Sequence, residues 1–498
     1  MSMTDTGRRR DKASSGAPWP RICIVGGGLG GIGTAVKLRQ AGYEQFTIFE
    51  SSSGPGGTWH TNRYPGCEVD TSSKGYSFSF MDYPWSSTHA RQPELLGYAE
   101  AMIERFNLRD RFRFNTRVVE ARWDDGRGAY SVILESGETL EFDVLVSAVG
   151  MFALPNIPQW PGMESFGGEM FHSSQWPESI DLSGKRVAVV GTGSTASQIV
   201  PEVAQVAETV KVFQRQPGWI LPKPVRTFDD AEKRRIGRRR LRRKARRALM
   251  FWEYGVAAKG FTVGSRQHRK MTGIALEYLD SAVTDPVIRQ ALTPSYPFGC
   301  KRPIKTSGFL ESFNRSDVEL VAQSVTAVSP SGLIDSAGKE HPLDAVIIAT
   351  GFHASKYLAT LPVYGLDGVE LQEAWDGDPQ AFLGITVPRF PNLFILYGPN
   401  TNGGGPITSQ IERQIEFTVR AIRRAEKLGR HTILTDPSAL TSFVAEVDQL
   451  NAQVQSAADA GCNNYYVSES GRNVTQWPTS HLRYILALRR GFGRLRFQ

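Results

Sequence analysis

Apolar residues in this chain fall into short blocks, and most blocks end at glycine. Ile22-Cys-Ile-Val25 runs into Gly26-Gly-Gly28-Leu29-Gly-Gly31, and Ile32–Leu38 continues with helical spacing. Val187-Ala-Val-Val190 runs in the same way into Gly191-Thr192-Gly193-Ser194-Thr195-Ala196. Further blocks are Phe46–Phe49, Thr209–Phe213, residues 142–150 and residues 344–351, the last two each closing on Gly. Such short apolar runs, bounded by turn residues, predict buried strands. Strands alternating with helical spacing predict an α/β fold with parallel sheets. At 498 residues the chain is too long for one core, so two or three domains are expected. No apolar run approaches the roughly 20 residues needed to cross a bilayer.

Both glycine loops have the layout that holds a dinucleotide. The glycines allow a tight turn and close backbone approach to a pyrophosphate, and the helix N-terminus adds partial positive charge. A lone G-x-G-x-x-G is weak evidence, but here strand, helix and a terminal polar group are in register. Glu50 stands 24 residues after Gly26, where a carboxylate can accept from ribose hydroxyls. Arg215 stands at the same 24-residue offset from Gly191. A guanidinium pairs with a 2′-phosphate that a carboxylate would repel. The two unlike sites predict FAD on Gly26, Gly28, Leu29, Gly31 and Glu50. They predict NADPH on Gly191, Thr192, Gly193, Ser194, Thr195 and Arg215.

The expected architecture is two Rossmann-like domains, with the NADPH domain inserted in the FAD domain. Residues 21–153 form the first part of the FAD domain, 154–344 the NADPH domain, and 345–498 the rest of the FAD domain. Residues 222–300 depart most from a dinucleotide domain and read as a helical insertion. Residues 1–20 read as a disordered tail of a cytoplasmic protein, because Arg8-Arg-Arg10 is followed by a polar stretch.

The net charge of +8 comes from one block. Residues 233–247 hold eleven basic groups and no acids, and taking eleven from +8 leaves −3. The block reads as a solvated helical face, and no nucleic-acid partner is expected. Four scattered cysteines, Cys23, Cys67, Cys300 and Cys462, form no C-x-x-C. They predict no zinc site and no dithiol reductase, but buried or incidental thiols.

Between the loops lies Phe166-Gly-Gly168-Glu-Met-Phe-His172-Ser-Ser-Gln-Trp176-Pro177, which reads F-x-G-x-x-x-H-x-x-x-W-P. Upstream is Gly56-Gly57-Thr58-Trp59-His-Thr-Asn-Arg-Tyr-Pro-Gly-Cys-Glu-Val-Asp70, followed by Tyr76-Ser-Phe-Ser-Phe80. Downstream is Phe298-Gly-Cys-Lys301-Arg302-Pro303. On these motifs the chain resembles class B flavoprotein monooxygenases, and within them the Baeyer–Villiger group, over residues 21–498. The resemblance implies oxidation of a ketone to an ester or lactone by NADPH and O2, through a C4a-peroxyflavin. It implies that Arg302 is the active-site cation and that Asp70 orients it. Gly57, Thr58, Trp59, Asp70 and Tyr76 would contact FAD, and Lys301 would join Arg215 on the NADPH phosphate. His172 would organise the linker between domains rather than act as a base, and Trp176-Pro177 would fix its packing. Tyr397–Pro406 would form a flavin loop whose three consecutive glycines predict mobility. Gly471–Pro478 resembles the variant found in aryl-ketone enzymes. The alternative is a class B enzyme that oxygenates sulfur or nitrogen. The sequence specifies neither the ketone nor the oligomeric state.

Overall fold

The computed structural model describes residues 20–233, 249–251, 253–256, 259–403, 405–455 and 464–498. Of the expected tail only Pro20, and of the basic block only Lys233, fall inside these residues.

Two five-stranded parallel sheets carry the two glycine loops. The first has the order Leu393–Ile395, Val144–Ser147, Ile22–Val25, Phe46–Phe49, Phe112–Arg113. The second has the order Val318–Val321, Thr209–Phe213, Arg186–Val190, Ala345–Ile348, Glu169–His172. Every strand of the second sheet lies in sequence between two strands of the first, so one dinucleotide unit is inserted in the other. Ala345–Ile348 pairs with Arg186–Val190 and with Glu169–His172. The crossing back to the first unit therefore follows this strand, and does not begin at residue 345. The strand that returns to the first sheet is Leu393–Ile395, beside Val144–Ser147.

The first dinucleotide helix, Leu29–Ala41, ends at Gly42 in the left-handed conformation, whose N–H and that of Tyr43 cap the last carbonyls. Its small face is what lets the long helix Ile407–Lys427 pack close: a Cβ on Gly33 would lie 3.0 Å from Ile415 and 2.9 Å from Phe78. That long helix carries the fully buried Glu412, which accepts from the Ser79 N–H at 2.9 Å and the Ser79 hydroxyl. The C-terminal segment thus clamps the Tyr76–Phe80 turn.

A short parallel pair, Ile220–Pro222 with Ile304–Thr306, frames the insertion. Helices Arg266–Ala282 and Pro286–Ala291 lie inside it. Trp219, Leu221, Ala275, Tyr296 and Phe298 form its own small core. Cys23 and Cys67 are buried free thiols, whereas Cys300 is disulfide-bonded and so is not an incidental thiol. Among the described residues no helix is long and apolar enough to cross a membrane, and no cluster of metal-ligating side chains occurs.

Candidate active site

The first loop is built by contacts that only glycine permits. A Cβ on Gly31 would lie 1.9 Å from the Gly26 carbonyl oxygen. The second motif closes over the loop: Gly56 N–H donates to the Gly27 carbonyl at 3.0 Å, and Gly57, at φ +54°, rests on Gly28. Glu50 is buried at the end of Phe46–Phe49, and one of its oxygens accepts from the Gly27 N–H at 2.7 Å. It therefore braces the loop as well as being placed for a ribose. The helix starting at Leu29 has no side-chain cap, leaving its first N–H groups for an anion. These features fit a dinucleotide, with Gly26, Gly28, Leu29, Gly31, Glu50 and Gly57 around its pyrophosphate and ribose. The Gly31 contact is with rigid backbone, and overpacking of this kind costs about 1–3 kcal/mol. Gly31→Ala protein is expected to lose most of its flavin absorbance on gel filtration, while wild type keeps it.

The second loop repeats the first, with Ala196 at the third position and fully buried. Its helix Ser194–Val203 also begins without a side-chain cap. A Cβ on Gly193 would meet nothing within 4 Å, so the space before Thr192, Ser194 and Thr195 is open to a ligand. Arg215 is exposed just past Thr209–Phe213. Lys301 comes from the end of the insertion and lies close enough to Arg215 to feel its charge. Burial, with Arg215 adding to it, lowers the Lys301 pKa to about 8. Two repelling cations held together fit a phosphate that would relieve them.

Arg302 and Asp70, 232 residues apart, meet as predicted. Arg302 donates from Nη2 at 2.6 Å and from Nε at 3.2 Å to the same Asp70 oxygen. The pair remains partly exposed, 40% and 23% for the two side chains. Burial pushes the Asp70 carboxyl up, but Arg302, then Lys305 and Lys223, hold it below its ordinary value on balance. Asp70 in turn raises the Arg302 pKa, so the guanidinium is permanently charged. Trp59 Nε1–H donates to the Tyr76 hydroxyl at 3.1 Å, which fixes both rings beside the Thr58–Thr61 turn.

The structure also brings tyrosines around Arg302 that the sequence did not assign to its cluster. Tyr254, Tyr397, Tyr465 and Tyr466 all lie within its electrostatic reach. Burial raises all four phenols, so they stay protonated. Tyr397 heads the loop expected beside the flavin, and the Tyr465-Tyr466 doublet also offered a signal in the sequence. Of the three glycines expected to make the Tyr397 loop mobile, residue 404 lies outside the described residues, and the part of the loop before them is held in place. Asn400 and Asn402 N–H groups donate to the Val474 and Thr475 carbonyls at 2.8 and 2.9 Å. Residues 400–402 are buried, so the loop is tied to Gly471–Pro478.

The 166–177 segment is not brought into the Arg302 cluster. Gly168 passes against the Asp344 carbonyl, 2.3 Å from where a Cβ would stand, and Phe166 packs on the core of the second sheet. Trp176 meets Phe171 edge-on at 5.1 Å, with Pro177 ending the turn. His172 is buried at the end of its strand. Its Nδ1 accepts from the Ser174 N–H at 3.2 Å, which leaves Nε2–H to donate to the Gly351 carbonyl at 3.1 Å. Both ring nitrogens are thus committed to joining the Glu169–His172 strand to the segment after Ala345–Ile348.

A fold of two nested dinucleotide units, with a charged Arg–Asp pair and protonated tyrosines, defines a two-nucleotide flavoprotein monooxygenase. A family model described as flavin-binding monooxygenase-like matches residues 20–231. A Baeyer–Villiger monooxygenase of Pseudomonas aeruginosa is 35% identical over 481 residues, spanning 94% of this chain and 90% of that one. Another, of Streptomyces coelicolor, is 35% identical over 462 residues, with 92% and 88% covered. The cyclohexanone monooxygenase of Rhodococcus sp. Phi1 bound to NADP+ superposes with a TM-score of 0.87 at 27% identity, over 97% of this chain and 100% of that one. A structure of OTEMO in complex with FAD and NADP gives 0.86 at 27% identity, over the same shares. The chain belongs to the Baeyer–Villiger monooxygenase family.

Proposed function

We propose that Arg302 and Asp70 form the oxygenation centre of an enzyme that converts a ketone to an ester or lactone. The cofactors are FAD and NADPH, and the reaction balances as ketone, dioxygen, NADPH and a proton giving ester, NADP+ and water. FAD, once reduced by NADPH, supplies the electrons that activate dioxygen. The chain's own residues do the rest. Arg302 provides a fixed cation where negative charge develops on the substrate carbonyl oxygen, and needs no reorganisation at that moment. Asp70 holds the guanidinium in plane and keeps it charged. The protonated tyrosines donate hydrogen bonds without adding negative charge, and their rings exclude water from the reacting atoms. Arg215 and Lys301 take the NADPH 2′-phosphate, and Glu50 the ribose of FAD. His172 keeps the linker strand in register with the segment after Gly351. The single observation that carries this reading is the two-point contact of Arg302 with Asp70, joining the insertion in the second dinucleotide unit to the first unit.

The test supplies purified protein with NADPH, labelled dioxygen and panels of ketones, thioethers and amines. One labelled oxygen in an ester or lactone is the expected result. Sulfoxides or N-oxides as the sole products, with every ketone untouched, would replace this reading with the sulfur- or nitrogen-oxygenating one.

A further inference from the structure

The Arg302–Asp70 pair spans the two nested units, so something must hold Asp70 at the right depth. Lys223 follows the strand Ile220–Pro222, and its side chain is completely buried. A buried ammonium is tolerated only when paired. Its partner is Glu68, two residues before Asp70, whose side chain is 14% exposed. The Glu68 peptide is gripped a second time. Gln198, on the second dinucleotide helix, donates from Nε2 to the Glu68 carbonyl at 3.1 Å and accepts from its N–H at 3.4 Å. Tyr64 also donates to that Gln198 oxygen at 3.1 Å. Gly66 admits this approach, since a Cβ there would lie 2.4 Å from the Gln198 carbonyl oxygen.

The contacts close into a ring. Lys223 N–H donates to the Thr306 carbonyl at 3.1 Å, and Thr306 ends the short strand that follows Arg302. Thr306 Oγ1 donates to the Ser197 carbonyl at 3.2 Å, beside Gln198. From Arg302 the path runs through Thr306 and Lys223 to Glu68, then two residues on to Asp70 and back to Arg302. On its far side the same segment is pinned by Val69 N–H to the Ala90 carbonyl at 3.1 Å and by Gln92 N–H to the Cys67 carbonyl at 2.8 Å. The environment is cationic beyond need: Lys223 and Lys305 add to Arg302, and after burial their charge is the next force holding the His89 pKa down, to about 4.

We propose that Lys223 is a positioning residue of the oxygenation centre, its buried pair with Glu68 setting Asp70 against Arg302 across the two units. The proposal rests on the reading of Arg302 and Asp70 given above. The function it adds is coupling: with the pair misplaced, electrons taken from NADPH leave as hydrogen peroxide instead of entering product.

The test uses the full-length, flavin-loaded protein as wild type, Lys223→Met, Lys223→Arg, Glu68→Gln and the double variant Lys223→Met/Glu68→Gln. The double variant leaves no unpaired buried charge, and Glu68→Gln keeps an acceptor for Lys223, so each limits the cost of unfolding. Three quantities are read: hydrogen peroxide per NADPH oxidised, the NADP+ dissociation constant by equilibrium dialysis, and melting temperature. Lys223→Met, Glu68→Gln and the double variant are expected to raise the peroxide share at least about threefold, with NADP+ affinity within about twofold of wild type. Lys223→Arg restores most of the coupling. The melting-temperature loss of the double variant is expected to be smaller than the sum of the losses of Lys223→Met and Glu68→Gln, because removing both charges relieves what removing one leaves unbalanced. A wild-type peroxide share in Glu68→Gln or in the double variant overturns the proposal. So do strictly additive melting losses, an Arg variant that leaks like Met, or a tenfold loss of NADP+ affinity, which would place the defect in the other nucleotide site. Arg302→Ala run alongside separates the two claims: if it keeps wild-type coupling, the reading of the centre fails, and if it alone uncouples, only the role of Lys223 falls.

Discussion

Arg302→Ala is expected to abolish ester formation, by about 10²–10³-fold or more, while NADPH oxidation continues. The electrons should then be recovered as hydrogen peroxide. The reason is the timing of charge. Reduction of a bound flavin would need the nucleotide sites, which the Gly26 and Gly191 loops build, and not a cation at the substrate oxygen. Charge on the substrate oxygen develops only afterwards, and Arg302 is the cation bound to Asp70 where the protonated tyrosines gather. Arg302→Lys keeps the charge but replaces a fork anchored through Nε and Nη2 by a single flexible ammonium, so partial activity with raised peroxide is expected. Asp70→Ala should resemble Arg302→Lys more than Arg302→Ala, because it frees the guanidinium without removing it. Simultaneous assay of NADPH loss, product and peroxide decides the matter. Equal falls in all three for Arg302→Ala would mean that the residue serves nucleotide binding instead.

The second large effect concerns nucleotide choice. Arg215→Ala is expected to raise the KM for NADPH about 10- to 100-fold and leave that for NADH nearly unchanged, since a hydrogen bond to a charged group contributes about 1.5–3 kcal/mol. Lys301 adds a pH dependence whose sign is fixed by its environment. Burial and Arg215 depress its pKa to about 8 in the free protein, and a bound phosphate would raise it again. Affinity for NADPH is therefore expected to be full below about pH 8 and to fall as pH rises through that value. The same titration should disappear in Lys301→Met and be absent with NADH. A pH-independent KM in wild type between pH values on either side of 8 would remove Lys301 from the phosphate site.

Much of this was legible because nucleotide loops are local. Strand, glycine turn and helix follow one another within a few residues, and the closing Glu50 and Arg215 lie one strand further on. The Arg302–Asp70 meeting was legible only through resemblance, for no spacing rule joins residues 232 apart. The pattern of apolar blocks does not say which sheet a block enters. Ala345–Ile348 and Val144–Ser147 look alike as sequences, and only pairing assigns the former to the second sheet. Leu393–Ile395 was missed as a strand because it is three residues long and set among prolines. Lys223 falls in the stretch read as a helical insertion, and its neighbours Pro222 and Pro224 do not mark it as buried. Its complete burial is a consequence of Glu68, 155 residues earlier.

The pairing of Ile220–Pro222 with Ile304–Thr306 has a further consequence. Both ends of the intervening segment are stapled to one another in fixed register, and helix Arg266–Ala282 places Ala275 in the small core around Trp219 and Leu279 in the main one. The stretch around its two helices, clear of Lys223, Tyr254, Lys301 and Arg302, can be lengthened or shortened while the chain before and after it keeps its place. In a lineage under pressure to accept new ketones, that stretch can diverge like a replaceable cartridge, while the ends of the segment keep Lys223, Lys301 and Arg302 in place.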